Sequence, residues 1–141
     1  MGTDSEKQKS YWCFLDRLAT TEPESWTDAE RSLDHVLEYQ HQVLNGGHLQ
    51  YFHNQTVRIE RPFELCIAAL REIGCDEVAE ILEQAVMRWD AEPRTAPWSL
   101  EEFSSEAMAE EFSNLDMQFY TADPELQSRL ETVVLELSKQ T

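Results

Sequence analysis

Large apolar residues recur at intervals of three or four from Tyr11 to Leu137, and no stretch alternates apolar with polar residues for long. A period near 3.6 stacks side chains on one face of a helix, whereas a half-buried strand has a period of two. The chain is therefore restricted to an all-α fold. Tyr11, Phe14, Leu15 and Leu18 predict a first amphipathic helix over 8–19, after a frayed tail at 1–7. Leu33, Val36, Leu37, Val43 and Leu44 line a long second helix, and Phe63, Ile67, Leu70 and Ile73 a third behind Pro62 at its first position. Val78, Ile81, Leu82, Ala85 and Trp89 form the next stripe, and Met108, Phe112, Leu115 and Phe119 the cleanest one. Leu126, Leu130, Val133, Val134 and Leu137 point inward from the last. Residues 56–59 are the one weak strand candidate.

The breaks between stripes carry residues that start or stop helices. Thr20-Thr21-Glu22-Pro23 ends the first. Thr27 as N-cap with Glu30 three residues on has the pattern of a capping box. Asn45-Gly46-Gly47 is expected to stop the long helix, because glycine accepts the left-handed C-terminal turn; a short helix restarts over 49–54. Gly74 closes the third helix, and Asp76 and Glu77 open the next at the positive end of its dipole. Residues 92–97, with two prolines, read as a loop. Ser99-Leu100-Glu101-Glu102 is a second capping-box candidate, and Asp123-Pro124-Glu125 reads as N-cap, N1 and N2 of the last helix. The expected architecture is a compact single-domain bundle of six or seven helices over 8–141.

Charge narrows the partners. Twenty-eight Asp plus Glu stand against 11 Lys plus Arg, a net −17. Such a field repels nucleic acid and anionic lipid and attracts basic partners, so neither direct nucleic-acid binding nor membrane binding is expected. The same excess also serves solubility. No run approaches the roughly 20 apolar residues of a membrane span, and the apolar patch at 11–15 is too brief for a signal-peptide core. Cys13, Cys66 and Cys75 are odd in number and lack a C-x-x-C pair. Buried free thiols in a reducing compartment, and a cytoplasmic location, are the expectation.

The segment Asn45-Gly46-Gly47-His48-Leu49-Gln50-Tyr51-Phe52-His53-Asn54 reads as a hinge. Two glycines turn the chain sharply, Gln50 and Asn54 can satisfy polar groups that the corner orphans, and Tyr51 and Phe52 plug the core beside it. It lacks the lysine and hydroxyl of a phosphate loop. These residues resemble the signature N-G-G-x-x-Q-Y/F-F-x-N of a bacterial domain family of unknown function. Ile73-Gly74-Cys75 with Ala79-Glu80-Ile81-Leu82-Glu83-Gln84-Ala85 looks like the family's second block, and Leu115-Asp116-Met117-Gln118-Phe119-Tyr120 like its Asp-x-x-Phe-Tyr block. The resemblance covers roughly residues 30–138. It implies Asn45, Gly46, Gly47, Gln50, Tyr51, Phe52 and Asn54 as a structural motif, with no catalytic residue and no cofactor. It also implies kinship with a DNA-mimic protein that occupies a transcription factor in place of DNA. The chain departs from the pattern at His48, where an aromatic usually follows the second glycine.

Charge placement adds a candidate interface independently of that resemblance. Residues 95–128 hold no Lys or Arg but eight carboxylates: Glu101, Glu102, Glu106, Glu110, Glu111, Asp116, Asp123 and Glu125. Glu106 and Glu110 fall opposite the core stripe, where like charges four residues apart destabilise a helix by roughly 0.2–0.5 kcal/mol. Carboxylates on adjacent turns, about 5–6 Å apart, offer a sparse version of a phosphate row with its rise of about 3.4 Å. The expected partner is a basic protein, a DNA-binding regulator being the one that fits. The plain alternative is a solvated face, and Glu102, Asp123 and Glu125 have structural roles available at helix starts.

Two other functions are weighed against this one. An apolar groove near Trp89 and Trp98 could take a partner, with acidity serving solubility only. His35, His41, His48 and His53 with Glu38 could bind zinc, but no pair has the H-E-x-x-H spacing and the cysteines complete no set. No Ser/His/Asp or Cys/His arrangement emerges either. The expectation is a binding protein without metal or catalytic residues.

Overall fold

A computed structural model describes residues 3–55, 63–91 and 112–139. They form α1 (Thr3–Thr20), a 3-10 turn (Pro23–Ser25), α2 (Asp28–Gln55), α3 (Phe63–Glu72), α4 (Asp76–Asp90) and α5 (Ser113–Lys139), with no strand among the described residues. The all-α class is as expected. The count is five α-helices among the described residues rather than six or seven. Expectations on 56–59, Pro62, the 92–97 loop and the second capping box lie outside the described residues.

Two mergers account for much of the difference. The restart after the glycine corner follows so closely that α2 runs on through it, although Gly46 (φ −158°, ψ 16°) and Gly47 (φ 80°, ψ 179°) are not helical. The break therefore bends one element instead of separating two. Pro124, expected to open the last helix, lies inside α5. Proline in a helix interior removes the bond to the carbonyl four residues back and costs about 3 kcal/mol. Leu115, Phe119, Ala122, Leu126, Leu130 and Val134 are all buried and keep helical spacing across it. Packing along that stripe overrides the local preference. At the other end of the chain, α1 starts at Thr3 rather than at residue 8; the residues after Ser5 are Glu, Lys, Gln and Lys, all good helix formers.

Two helix ends form as their residues dictate. The Thr27 backbone N–H donates to Glu30 Oε1 (2.8 Å), and the Glu30 N–H donates to Thr27 Oγ1 (3.1 Å), completing the capping box. Glu30 also pairs with Arg17 at 2.5 Å, tying α1 to the start of α2. Gly74, at φ 84°, closes α3. Its N–H reaches the Arg71 carbonyl (3.0 Å) and that of Cys75 the Leu70 carbonyl (2.8 Å), the paired bonds of a Schellman motif.

One cluster of buried side chains draws on all five helices. Tyr39, Tyr51, Phe52, Phe63 and Phe119 are its largest fully buried members. Phe52 stacks on Trp89 (centroids 5.0 Å apart) and meets Phe63 edge-on at 5.1 Å. Such ring pairs contribute roughly 0.5–1.5 kcal/mol beyond their burial. α1 lies chiefly on α5, and α3 packs on α2 and α4. All three cysteines are free, but Cys13 is exposed, so only Cys66 and Cys75 meet the expectation of buried thiols. No helix among the described residues is long and apolar enough to cross a membrane.

Candidate functional site at the glycine corner and the acidic face

At the corner, each motif residue has a separate physical task. A side chain at Gly46 would run into the Gln50 side chain. At Gly47 the backbone is left-handed, and a Cβ would stand 2.5 Å from Asp116 Oδ2. Gln50 Nε2 donates to Gln42 Oε1 (2.8 Å), as does Asn54 Nδ2 (2.6 Å), while Gln42 Nε2 donates to Glu38 Oε1 (3.0 Å). A chain of amides thus spans the bend from one arm of α2 to the other. Asn45 is exposed, whereas Tyr51 and Phe52 are buried in the core.

His48, the departure from the family pattern, sits in an aromatic position. Its ring is fully buried, with the rings of Tyr39, Phe52, Phe112 and Phe119 at 5.5–6.5 Å. Both nitrogens are engaged: Nδ1 with Asp116 Oδ1 (2.7 Å) and Nε2 with the Tyr39 hydroxyl (2.7 Å). An ionised carboxylate only accepts, so Nδ1 donates to it, and in the neutral imidazole Nε2 then accepts from Tyr39. Burial, the largest cause, pushes the Tyr39 hydroxyl well above the ordinary phenol range and keeps it a donor. The His48 backbone N–H also donates to Asp116 Oδ1 (2.8 Å), which satisfies an amide at the bend. Tyr39 and His48 are both fully buried, so this Tyr-His-Asp row lies away from any solvent-borne substrate. It fastens the corner to α5.

The acidic residues fall into two groups. Glu101, Glu102, Glu106, Glu110 and Glu111 lie outside the described residues. Of the other three, Asp116 is only 21% exposed and holds His48. Asp123 accepts from Gln40 Nε2 at 3.0 Å, and Gln40 reaches Gln127 as well. Glu125 is exposed and shares a shallow cleft with Arg129, whose Nε donates to the Ile73 carbonyl at 2.7 Å. α5 therefore contributes one outward carboxylate of the three, beside an arginine. Exposed carboxylates outside the predicted strip stand on α3 and α4, among them Glu72, Asp76, Glu77 and Glu80. Their signal was present, since none of them fits an apolar stripe.

The alternatives also find places. Trp89 is buried against Phe52 and His53, so it builds core rather than a groove, and Trp98 lies outside the described residues. Among the described residues no three His, Cys, Asp or Glu side chains converge as metal ligands. An apolar groove of about 750 Å³ does exist elsewhere, between α1 and α2, lined by Tyr11, Trp12, Leu15, Trp26, Leu37 and Leu44.

A family model, that of DMP19-like protein, matches residues 24–136, which include the whole corner. No curated protein and no solved structure matches the chain.

Proposed function

Because the chain belongs to the DMP19-like protein family, we propose that it is an acidic protein-binding module that docks on the basic surface of a DNA-binding protein, where DNA would otherwise lie. The observation that carries this reading is the charge excess, 28 carboxylates against 11 Lys plus Arg, on a member of that family. Its polar constellation at the corner is consumed internally: His48, Asp116 and Tyr39 satisfy one another. The chain acts by presenting a surface, not by catalysis. Glu101, Glu102, Glu106, Glu110, Glu111 and Glu125 supply the docking charges, while Asp116 and Asp123 tie α5 to α2.

Electrostatic docking of this kind fades once the screening length falls to about 8–10 Å near physiological salt, and nucleic acid competes for it. The test is capture from lysate at low salt on the immobilised chain, followed by washes with duplex DNA or with salt. A DNA-binding protein released by both washes, and not retained by Glu106→Lys/Glu110→Lys, supports the proposal. Capture that persists in DNA, or is equal on the double variant, overturns it.

A further inference from the structure

We propose that the groove between α1 and α2 is a second docking site, independent of the acidic face, and that it takes a basic amphipathic helix. α1 rests chiefly on α5, which leaves its other side turned toward α2 across a gap. Tyr11, Leu15, Leu18, Leu37 and Trp26 form an apolar floor. Trp12 and Leu44 stand as walls, 66% and 48% exposed. Large apolar side chains left this open, facing one another from two helices, mark an interaction surface. The volume of about 750 Å³ is within the usual range of about 300–1,000 Å³ for ligand pockets. That is room for a stripe of side chains, with the backbone carrying them lying outside.

The groove's shape and charge select the occupant. The lining spans Tyr11 to Ala19 on α1 and Asp34 to Leu44 on α2, so each wall is about 12–15 Å long. That matches two to three turns of a third helix laid in the furrow with anchors at i, i+3, i+4 and i+7. Asp34, Glu38 and His41 line the groove, and no Lys or Arg does among the described residues. In the field of a chain carrying −17, lysines or arginines flanking an apolar stripe are attracted, whereas an acidic helix is repelled. A second copy of this chain is disfavoured by the same rule, since each copy carries −17.

The probe is a labelled Leu/Lys peptide of about five turns with its leucines on one face, compared with a scrambled peptide of the same composition that has no apolar face. Binding is read by fluorescence anisotropy at about 0.15 M salt. The striped peptide is expected to bind at least about tenfold more tightly than the scrambled one, a difference of about 1.4 kcal/mol. Trp12→Ala/Leu44→Ala, two changes at exposed positions, should abolish that ratio. Glu106→Lys/Glu110→Lys should leave it intact, so the fate of this site is separable from that of the acidic face. Equal binding of both peptides, or a ratio that survives Trp12→Ala/Leu44→Ala, overturns the proposal. So does a dimer of the free chain in sedimentation equilibrium that Trp12→Ala/Leu44→Ala dissociates, because a second copy then owns the groove.

Discussion

His48 Nε2 lies 2.7 Å from the Tyr39 hydroxyl, and neither side chain is reached by solvent. A buried imidazole here does two jobs that a phenyl ring cannot combine. It fills a slot among Phe52, Phe112 and Phe119, and it carries hydrogen bonds outward to Asp116 and inward to Tyr39. The two arms of α2 are thereby joined to each other and to α5 at one point.

His48→Phe should preserve the ring packing and destabilise the fold by about 1–3 kcal/mol, because it leaves the buried Tyr39 hydroxyl without its acceptor. Asp116 is partly exposed and can rehydrate, so its share is the smaller. Adding Tyr39→Phe removes the orphaned group. The double variant should therefore be more stable than His48→Phe alone, a non-additive result that urea denaturation of the four proteins would reveal. A double variant weaker than either single change would show that the hydroxyl has another role.

The two corner glycines should differ in their tolerance of alanine. Gly47 has φ 80°, and a Cβ there meets Asp116, so Gly47→Ala combines backbone strain with a clash and should cost about 1–3 kcal/mol. At Gly46 the obstacle is the Gln50 side chain, which can swing aside at the expense of its bond to Gln42. Gly46→Ala should thus be the milder change, by about 1 kcal/mol. Denaturation midpoints measured side by side decide the order.

Alkaline pH should weaken the fold in two stages. Burial raises the Cys66 thiol above its ordinary 9.0 and the Tyr39 hydroxyl well above 10.0. Between the ordinary values and the raised ones, the unfolded chain has lost protons that the folded chain keeps, so stability falls as pH rises. The loss begins near pH 9 through Cys66, with Cys75 adding to it, and steepens beyond pH 10 through Tyr39, with Tyr11 and Tyr120 adding to it. Cys66→Ala should flatten the first stage. Phenolate absorbance should show Tyr39 ionising only as the protein unfolds; a Tyr39 that titrates in the folded state would contradict its burial.

What was legible in the sequence follows from the range of the interactions. Stripes such as Val78, Ile81, Leu82, Ala85 and Trp89 were readable because burial repeats with the helix period, and the box at Thr27 and Glu30 because its bonds span three residues. The role of Asp116 was hidden: its partner His48 lies 68 positions away, and a carboxylate among other carboxylates looks like surface. His48 read as a departure because letters show that the ring is not phenyl, not that its nitrogens have partners. The α1–α2 groove was also out of reach. It arises from the way α1 lies on α5, and the residues that line it looked like ordinary core faces on each helix. The charge excess was readable as composition only, since it gives no direction in space.

Pro124 tests the continuity of α5 directly. The side chain is exposed and lies within the helix, so Pro124→Ala removes no core packing. If Asp123-Pro124-Glu125 opened a separate helix, proline would suit its position and alanine would bring nothing or a loss of a few tenths of a kcal/mol. In a continuous helix the alanine restores an N–H donor and relieves the ring's clash with the preceding turn, a gain approaching about 3 kcal/mol. The more flexible unfolded chain of the variant offsets about 0.4–1 kcal/mol of that. A net stabilisation of about 2 kcal/mol is expected, which for a domain of this size raises Tm by several degrees. A variant that melts at or below the parent temperature would mean that the helix is broken at Asp123, with a new helix starting there.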